Sequence, residues 1–267
     1  YETENTDINI VNEISKTIEV YPGDLSLSLT QNRGREKALL QKLNIPCAPF
    51  ELVNNASDLT RAIKNIGLPA ILKTTEDGYD GKGQFLIKSE SQIAEAWEAM
   101  SGVESILERF IDFKRELSLV AVRGTDGSLK YYPLAENSHH QGILRLTVAP
   151  AQEISESLQK KAESYMISLL TEINHVGVLT LELFDSDDEL IVNEIAPRVH
   201  NSGHWTIEGA QTSQFENHIR AISNSPLGDS SIKSQFNAMI NIIGKYGPTN
   251  KVLETRNAHL HLYDKKE

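Results

Sequence analysis

The strongest constraint on the fold is a pair of apolar runs within residues 177–204, separated by an acidic turn. Leucines alternate with other residues from 179 to 183, which is the period-two pattern of a strand. A second apolar run, 190–195, follows the sequence Asp-Ser-Asp-Asp, whose residues favour a tight reversal of the backbone. We therefore predict a β-hairpin centred near Asp187 and Asp188.

Two glutamates become neighbours across this hairpin. Glu182 and Glu194 lie six residues on either side of Asp188, so they should share one face of the sheet. Like charges placed opposite each other are destabilising, and a divalent cation would remove the repulsion. We predict a Mg²⁺ site here, to which Asn193 could add a neutral oxygen. From the hairpin alone, two solvent-facing glutamates are an equally good interpretation.

The segment after the hairpin is rich in polar and cationic side chains. Arg198, His200 and His204 lie around a proline and a glycine, directly after the second apolar run. Such residues in a loop at a strand end suit the recognition of an anionic small molecule. This favours a functional interpretation of the whole stretch.

A glycine-rich stretch supplies a second candidate site. Gly78, Gly81 and Gly83 lie between two predicted strands, with Lys73 before them and Lys82 among them. Glycines let backbone N–H groups approach phosphate oxygens closely, so we predict that this stretch holds a polyphosphate. A glycine-rich hairpin without function is the alternative. The pattern is neither a Walker motif nor a dinucleotide fingerprint, because no helix follows it.

Two further clusters are assigned to ordinary structure. Arg33 and Lys37 lie one turn apart in a helix predicted over 31–44, and a solvated helix face is the favoured interpretation. His139 and His140 could bind a metal, but the sequence offers no evident third ligand, so we predict no metal there.

Composition excludes several classes of function. The 267 residues are 39% hydrophobic, enough for one large domain or two modest ones. The net charge of −11 argues against nucleic acid as a partner, although a phosphorylated small molecule remains possible. Cys47 is the single cysteine, so we expect no intramolecular disulfide and a cytoplasmic location. We find no signal peptide and no apolar run of about 18 residues, so we expect no membrane partner.

Taken in order, these pieces resemble an ATP-grasp enzyme and, within that superfamily, the N-carboxyaminoimidazole ribonucleotide synthetase family. The resemblance covers roughly residues 31–263. Its most specific parts are GYDGKGQ at 78–84, ENSHHQGILR at 136–145 and NEIAPRVHNSGHWT at 193–206. It implies an α+β fold in which two α+β subdomains clamp ATP.

The resemblance also implies three regions. Residues 1–30 would be the remnant of an N-terminal domain and a linker, and 31–228 the ATP-grasp domain, with a smaller lid-bearing subdomain at 67–135. Residues 229–267 would begin a C-terminal β domain, within which we predict a strand at 258–263. We therefore expect the N-terminal α/β domain to be largely missing and the C-terminal domain to be truncated, and the chain alone could be inactive.

An ATP site follows from the resemblance, residue by residue. The positions expected at the phosphates are Arg33, Lys73, Gly78, Tyr79, Asp80, Gly81, Lys82, Gly83 and Gln84. The positions expected at the adenine and ribose are Glu108, Arg109, Phe110, Ile111 and Glu116, and His139 is expected to contact ATP. Glu182 and Glu194 would bind Mg²⁺, and Asn193 would contact the nucleotide beside them.

The implied reaction is the carboxylation of aminoimidazole ribonucleotide with bicarbonate and ATP, through carboxyphosphate. The residues expected to be catalytic are Tyr79, Asp80, Lys82 and Arg198. Arg198 and His200 would bind the ribonucleotide, Tyr79 and Asp80 would lie near its amine, and Glu2 or Glu4 would touch the imidazole. The family is commonly homodimeric, so we expect a homodimer. Two alternatives remain: another ATP-grasp ligase, such as a purine transformylase or a biotin carboxylase-like enzyme, and a catalytically silent nucleotide-binding module.

Overall fold

The computed structural model alternates helices and strands along the chain. The residues that it describes are 1, 3–76, 78, 83–186, 189–245 and 247–263. Their helices are α1 (Ile8–Ser15), α2 (Asp24–Thr30), α3 (Arg33–Lys42), α4 (Ala56–Ile66), α5 (Ile93–Ala99), α6 (Glu156–Glu172), α7 (Thr206–Gly209), α8 (Gln214–Ile222) and α9 (Thr249–Leu253). Their strands are β1 (Phe50–Val53), β2 (Ala70–Thr74), β3 (Gln84–Ile87), β4 (Ser105–Arg109), β5 (Arg115–Arg123), β6 (Leu129–Tyr131), β7 (Ala135–His140), β8 (Ile143–Ala149), β9 (Gly177–Ser186), β10 (Glu189–Ala196) and β11 (Asn237–Ile240). Single 3₁₀ turns lie at Glu90–Gln92 and Asn201–Gly203.

The smaller sheet is antiparallel, and its described strands are ordered β1-β4-β2-β3. One face packs against α4 and α5, so Leu72 and Leu107 are fully buried there. Leu52 and Leu86 are exposed. Helix α4 is capped at its N-terminus by Asn55, whose side chain accepts a hydrogen bond from the Asp58 amide.

The larger sheet is also antiparallel and has the order β10-β9-β5-β7-β8-β11 in the described part of the chain, with β6 beside β5. Helix α6 covers one of its faces and contributes Leu158, Met166 and Leu169 to the core. The leucines predicted to alternate along β9 are buried in the same core, represented by Leu181 and Leu183. Because β10 is the first strand in this order, its outer edge needs partners from elsewhere in the chain.

Helix α3 lies between the two sheets and supplies some of the partners for the outer edge of β10. Leu39 and Leu40 belong to the core of the larger sheet. At Gly34, a Cβ atom would come within 2.8 Å of a methyl group of Leu52 in the smaller sheet, so any larger residue would require the Leu52 side chain to move. Functional side chains carried by α3 can therefore reach both sheets.

The observed elements differ from two predictions, one about the extent of the smaller subdomain and one about a strand near the end of the chain. The smaller sheet is formed by strands between Phe50 and Arg109, whereas β5 and β6, assigned from the sequence to a subdomain at 67–135, belong to the larger sheet. The strand predicted at 258–263 is wrong, because these residues form neither helix nor strand. None of the helices in the described residues has the length and apolar character needed to cross a bilayer.

Candidate active site

The hairpin of β9 and β10 places Glu182 directly opposite Glu194, as predicted. The route to this pairing is different from the prediction. Ser186 pairs with Glu189, and the register then shifts by one residue between Val192 and Glu194. Asn193 is thus the extra residue of a β-bulge. Asp187 and Asp188, the residues predicted at the turn, lie outside the described part of the chain.

Glu182 lies in an unfavourable electrostatic position. Burial and the nearby charge of Glu194 raise its pKa from 4.5 to about 7. The Nε2 atom of His200 is 3.2 Å from its Oε1 atom. Nδ1 of this histidine accepts a hydrogen bond from the Ser202 amide, so the proton of the neutral ring belongs on Nε2, the nitrogen beside Glu182. Burial and the charge of Arg198 lower the pKa of His200 to about 3, which keeps the ring neutral.

The segment after β10 contacts the beginning of the chain. Arg198 Nε donates to Glu4 Oε2 at 2.7 Å, and both side chains are partly exposed. Arg198, Glu4 and His200 therefore lie close together beside Glu182, and their role in binding the ribonucleotide stays a prediction. Glu2, the other acidic candidate at this end, lies outside the described residues.

A pocket over the larger sheet brings four predicted site residues together. Glu116 of β5, His139 of β7, Glu182 of β9 and Asn193 of β10 all line it. His139 Nδ1 and Glu116 Oε2 form a hydrogen bond. Burial would lower the pKa of His139, but the hydrogen bond and charge of Glu116 outweigh it and the pKa is raised.

Arg33 joins the glycine-rich stretch to the end of β2. Its guanidinium donates to the carbonyl oxygens of Thr74 at 3.0 Å and Gly78 at 3.2 Å. A Cβ atom at Gly78 would come within 2.8 Å of this guanidinium, and Gly83 has a φ of +68° beside Thr74. The positive φ favours glycine at 83, whereas a side chain at 78 would require the Arg33 guanidinium to move. Tyr79, Asp80, Gly81 and Lys82 lie outside the described residues, and Gln84 is the exposed first residue of β3.

Glu108 and two lysines form a buried ionic cluster between the sheets. The Nζ atom of Lys73 is 2.9 Å from Glu108 Oε2, and that of Lys37 is 3.7 Å from the same atom. Burial would raise the pKa of Glu108, but the two lysines outweigh it and lower the pKa to about 2. Its Oε1 atom has no hydrogen-bond partner among the described residues.

The interpretation of Lys37 as part of a solvated helix face is wrong. Only 1% of its side chain is exposed, and its Nζ donates to the carbonyl oxygens of Val192 and Asn193 at 3.3 and 2.8 Å. Glu36, which the sequence reasoning did not single out, is also buried and accepts from the Ile195 amide at 3.2 Å. Burial raises its pKa to about 8, opposed by Lys37 and reinforced by Glu194. A Glu-Lys pair on an amphipathic helix gives no local indication of this burial.

The backbone expected along the adenine edge is partly engaged. The amides of Arg109 and Phe110 donate to the carbonyl oxygens of Pro49 and Pro69, so these N–H groups already have acceptors. Ile111 follows them just beyond the end of β4. An adenine lying here would use the carbonyl oxygens or the Ile111 amide.

The donor set was also tested for a metal site. Within the part of the chain that the structure describes, no group of three or more His, Cys, Asp or Glu side chains could hold a metal ion. Two paired carboxylates remain, and Mg²⁺ commonly completes its shell with water and substrate phosphates. The raised pKa of Glu182 is the electrostatic strain that a cation would relieve. The residues present therefore fit a shared Mg²⁺ but not a self-sufficient protein site.

Comparison with known proteins gives the family. A model of the ATP-grasp domain matches residues 38–215, and one of the phosphoribosylaminoimidazole carboxylase C-terminal domain matches residues 237–267. The N5-carboxyaminoimidazole ribonucleotide synthase of Pseudomonas aeruginosa is 45% identical over 265 residues, which are 99% of this chain and 72% of that protein. The chain belongs to the N5-carboxyaminoimidazole ribonucleotide synthase family. It is thus a member of a family of ATP-dependent ligases, and the ATP-grasp fold with mixed α and β content is confirmed.

Solved structures of this synthase family superpose closely on the chain. The synthetase from Thermus thermophilus has a TM-score of 0.94 and 47% identity, covering 99% of this chain and 72% of that one. The Aspergillus clavatus synthase, solved with ADP and 5-aminoimidazole ribonucleotide, has a TM-score of 0.90 and 32% identity, covering 99% of this chain and 71% of that one.

Proposed function

We propose that this chain carries out the ATP-dependent carboxylation of 5-aminoimidazole ribonucleotide with bicarbonate in purine biosynthesis. The products are N5-carboxyaminoimidazole ribonucleotide, ADP and phosphate. The observation that carries the proposal is the pairing of Glu182 with Glu194 beside Arg198 and His200, in a chain of this family. Relatives solved with ATP, or with ADP and the ribonucleotide, support both substrates.

The nucleotide would lie between the two sheets. Arg33 and Lys73 would face its phosphates, because Arg33 contacts the Gly78 carbonyl and Lys73 pairs with Gln84 at the other end of the glycine-rich stretch. The buried Oε1 of Glu108 is an acceptor without a donor in the described residues, which suits the amino group of adenine. Glu116 and His139, paired in the pocket, would meet the ribose and the rest of the nucleotide.

Glu182 and Glu194 would hold Mg²⁺ together with the nucleotide phosphates, with Asn193 beside them. The ion would neutralise charge on the transferring phosphoryl group. Nε2 of His200 lies 3.2 Å from one oxygen of Glu182, and this contact would help to keep the carboxylate in one orientation toward the pocket. Deprotonation of Glu182 is required before it can act as a ligand.

The chemistry needs two consecutive group transfers. Bicarbonate attacks the γ-phosphorus of ATP, ADP leaves, and the carboxyl group of the resulting carboxyphosphate passes to the exocyclic amine with release of phosphate. Arg198 and His200, with Glu4, would bind the ribonucleotide. Tyr79, Asp80 and Lys82 would act near the bicarbonate and the amine, with Asp80 orienting or deprotonating the amine.

Carboxyphosphate is unstable in water, so the site needs to close during the reaction. We propose that the stretch 78–84 closes over the phosphates. The Arg33 contacts with Thr74 and Gly78 support this, because they tie the beginning of the stretch to the phosphate side of the site.

The test is phosphate release by the full-length protein with each substrate omitted in turn. The proposal expects release that depends on bicarbonate and on the ribonucleotide. A requirement for formate in place of bicarbonate would indicate a transformylase-type ligase instead. Nucleotide binding with no turnover under any combination would indicate a silent binding module and contradict the proposal.

The same assignment carries two further expectations. A homodimer and a cytoplasmic location, both expected from the sequence and the resemblance, stay predictions. Sedimentation of the full-length protein at several concentrations tests the first, and fractionation of the source cells tests the second.

A further inference from the structure

The bulge at Asn193 decides where Glu194 points. Side chains alternate between the two faces of a strand, so a ladder without the extra residue would put Asn193 opposite Glu182 and turn Glu194 to the other face. The register shift after Val192 restores Glu194 to the face of Glu182. The two carboxylates can therefore share a cation only while the bulge persists.

A bulge on an edge strand needs partners for its backbone groups, and here they come from α3 and the segment after it. The amide of Val192 donates to the Pro46 carbonyl at 2.8 Å, and the amide of Ile195 donates to Glu36 at 3.2 Å. The carbonyl oxygens of Val192 and Asn193 both accept from Lys37. Groups from outside the sheet thus hold the backbone on both sides of Glu194.

The acceptors around the Lys37 ammonium group are those expected of a side chain that holds this backbone in place. A buried ammonium group has three protons, and three acceptors surround it: two bulge carbonyls and Glu108 Oε2. The carbonyl contact at 2.8 Å is shorter than the 3.7 Å separation from Glu108. Glu108 also has Lys73 at 2.9 Å, so Lys37 is not its closest counter-charge.

We propose that Lys37 is a positioning residue for the candidate magnesium site. It holds both carbonyl oxygens of the bulge, and the bulge turns Glu194 toward Glu182. Lys37 touches neither carboxylate, so it acts on the cation through the backbone. The inference rests on the proposed function, because it requires the two glutamates to bind Mg²⁺ with the nucleotide.

The experiment compares the ADP affinity of the full-length protein with Mg²⁺ and in chelator, measured by calorimetry. The variant is Lys37→Met, which keeps the apolar stem and removes the donor. The matched control is Lys42→Met on the same helix, because Lys42 forms an exposed pair with Glu172 at 2.6 Å and lies away from β10. The quantity compared is the gain in affinity that Mg²⁺ provides.

Lys37→Met should reduce this gain roughly 10-fold to 100-fold, the usual effect of losing a group that orients a metal ligand. Lys42→Met should leave it unchanged. Amide hydrogen exchange of the ligand-free protein gives the second readout, with faster exchange at Val192 and Ile195 in Lys37→Met only. Lys37→Gln, which is shorter and uncharged, replaces the methionine variant if that protein does not fold.

A folded Lys37 variant that keeps the full Mg²⁺ gain would overturn the inference, and so would a loss of the gain without faster exchange at the bulge. A purely structural lysine would lower the melting temperature without changing the ratio of the two affinities. If the unsubstituted protein shows no Mg²⁺ gain, the metal assignment fails first and the inference fails with it. These outcomes are therefore distinguishable.

Discussion

Glu108 and Glu182 are both largely shielded from water, yet their surroundings are opposite. Burial would raise the pKa of Glu108, but Lys73 and Lys37 outweigh it and lower the pKa to about 2. Burial raises the pKa of Glu182 as well, and the charge of Glu194 raises it further, to about 7. The charge of Glu108 is therefore neutralised by the fold, whereas the opposing charges of His139 and Arg198 do not offset burial and Glu194 at Glu182.

This difference separates a structural charge from a binding charge. A buried carboxylate that has its own cations contributes to the unliganded fold, because removing either partner leaves a charge uncompensated. A carboxylate held against a like charge destabilises the unliganded fold, and binding of a cation relieves this repulsion. We infer that the larger sheet presents the ligand-dependent carboxylates and that the cluster between the sheets supports them.

The largest expected effect is on turnover. Glu194→Gln removes one of the two carboxylates without changing side-chain size, and we expect phosphate release to fall at least about 100-fold. The measurement is steady-state phosphate release by the full-length protein with all three substrates. Circular dichroism and melting temperature should stay close to those of the unsubstituted protein. Retained bicarbonate-dependent ATPase activity would contradict the assignment of this glutamate.

The next effect concerns stability. Glu108→Gln leaves Lys37 and Lys73 without their carboxylate, and the expected loss of unfolding free energy is about 3–5 kcal/mol. Chemical denaturation of the ligand-free protein measures it. A change below about 1 kcal/mol would show that the cluster is not a structural charge, which would remove one side of the comparison.

The same substitution at Glu182 should have the opposite sign. Glu182→Gln removes the repulsion with Glu194 and keeps an oxygen that can accept from His200, so the ligand-free protein should gain roughly 0.2–1 kcal/mol. Magnesium-dependent ADP affinity should fall at the same time. A loss of stability together with unchanged affinity would reverse the roles that we assign to the two glutamates.

The pH dependence follows from the same two pKa shifts. The pKa of Glu182 is raised on folding, so its contribution to the free energy of unfolding is fully present below pH 4.5 and is lost as the pH rises through about 7. The pKa of Glu108 is lowered on folding, so its contribution to the free energy of unfolding is present above pH 4.5 and is lost as the pH falls toward about 2. Melting curves should therefore show the advantage of Glu182→Gln growing between about pH 5 and pH 8. The disadvantage of Glu108→Gln should shrink in acid.

The hairpin and the helix α3 could be predicted because each rests on local periodicity and turn chemistry. The pairing of Glu182 with Glu194 was predicted correctly because two differences in strand register cancel. The prediction counted six residues on either side of Asp188, whereas the described ladder pairs Ser186 with Glu189 and then gains one residue at the bulge. No local pattern marks this bulge, because it depends on partners from another part of the chain.

Burial of Glu36 and Lys37 could not be predicted for the same reason. Two adjacent charged residues on a helix are normally solvated, and only the tertiary contact with the edge of β10 removes them from water. The resemblance implied that Glu108 contacts adenine, but not that two lysines lie beside it. Ionic clusters between sheets require knowledge of which strands and helices meet, and spacing along the chain does not supply it.

The smallest expected effect belongs to a third kind of glutamate, whose charge is compensated in solvent. Glu172 pairs with Lys42 at 2.6 Å on the surface, where the two side chains are 36% and 67% exposed. Water already stabilises both charges, so Glu172→Gln should change the free energy of unfolding by no more than about 0.5 kcal/mol and leave ADP affinity unchanged. Denaturation beside Glu108→Gln measures the difference. If the exposed pair stabilised the fold as much as the buried cluster, burial would not be what distinguishes Glu108. The contrast with Glu182 would then rest on the like-charged neighbour of Glu182 alone.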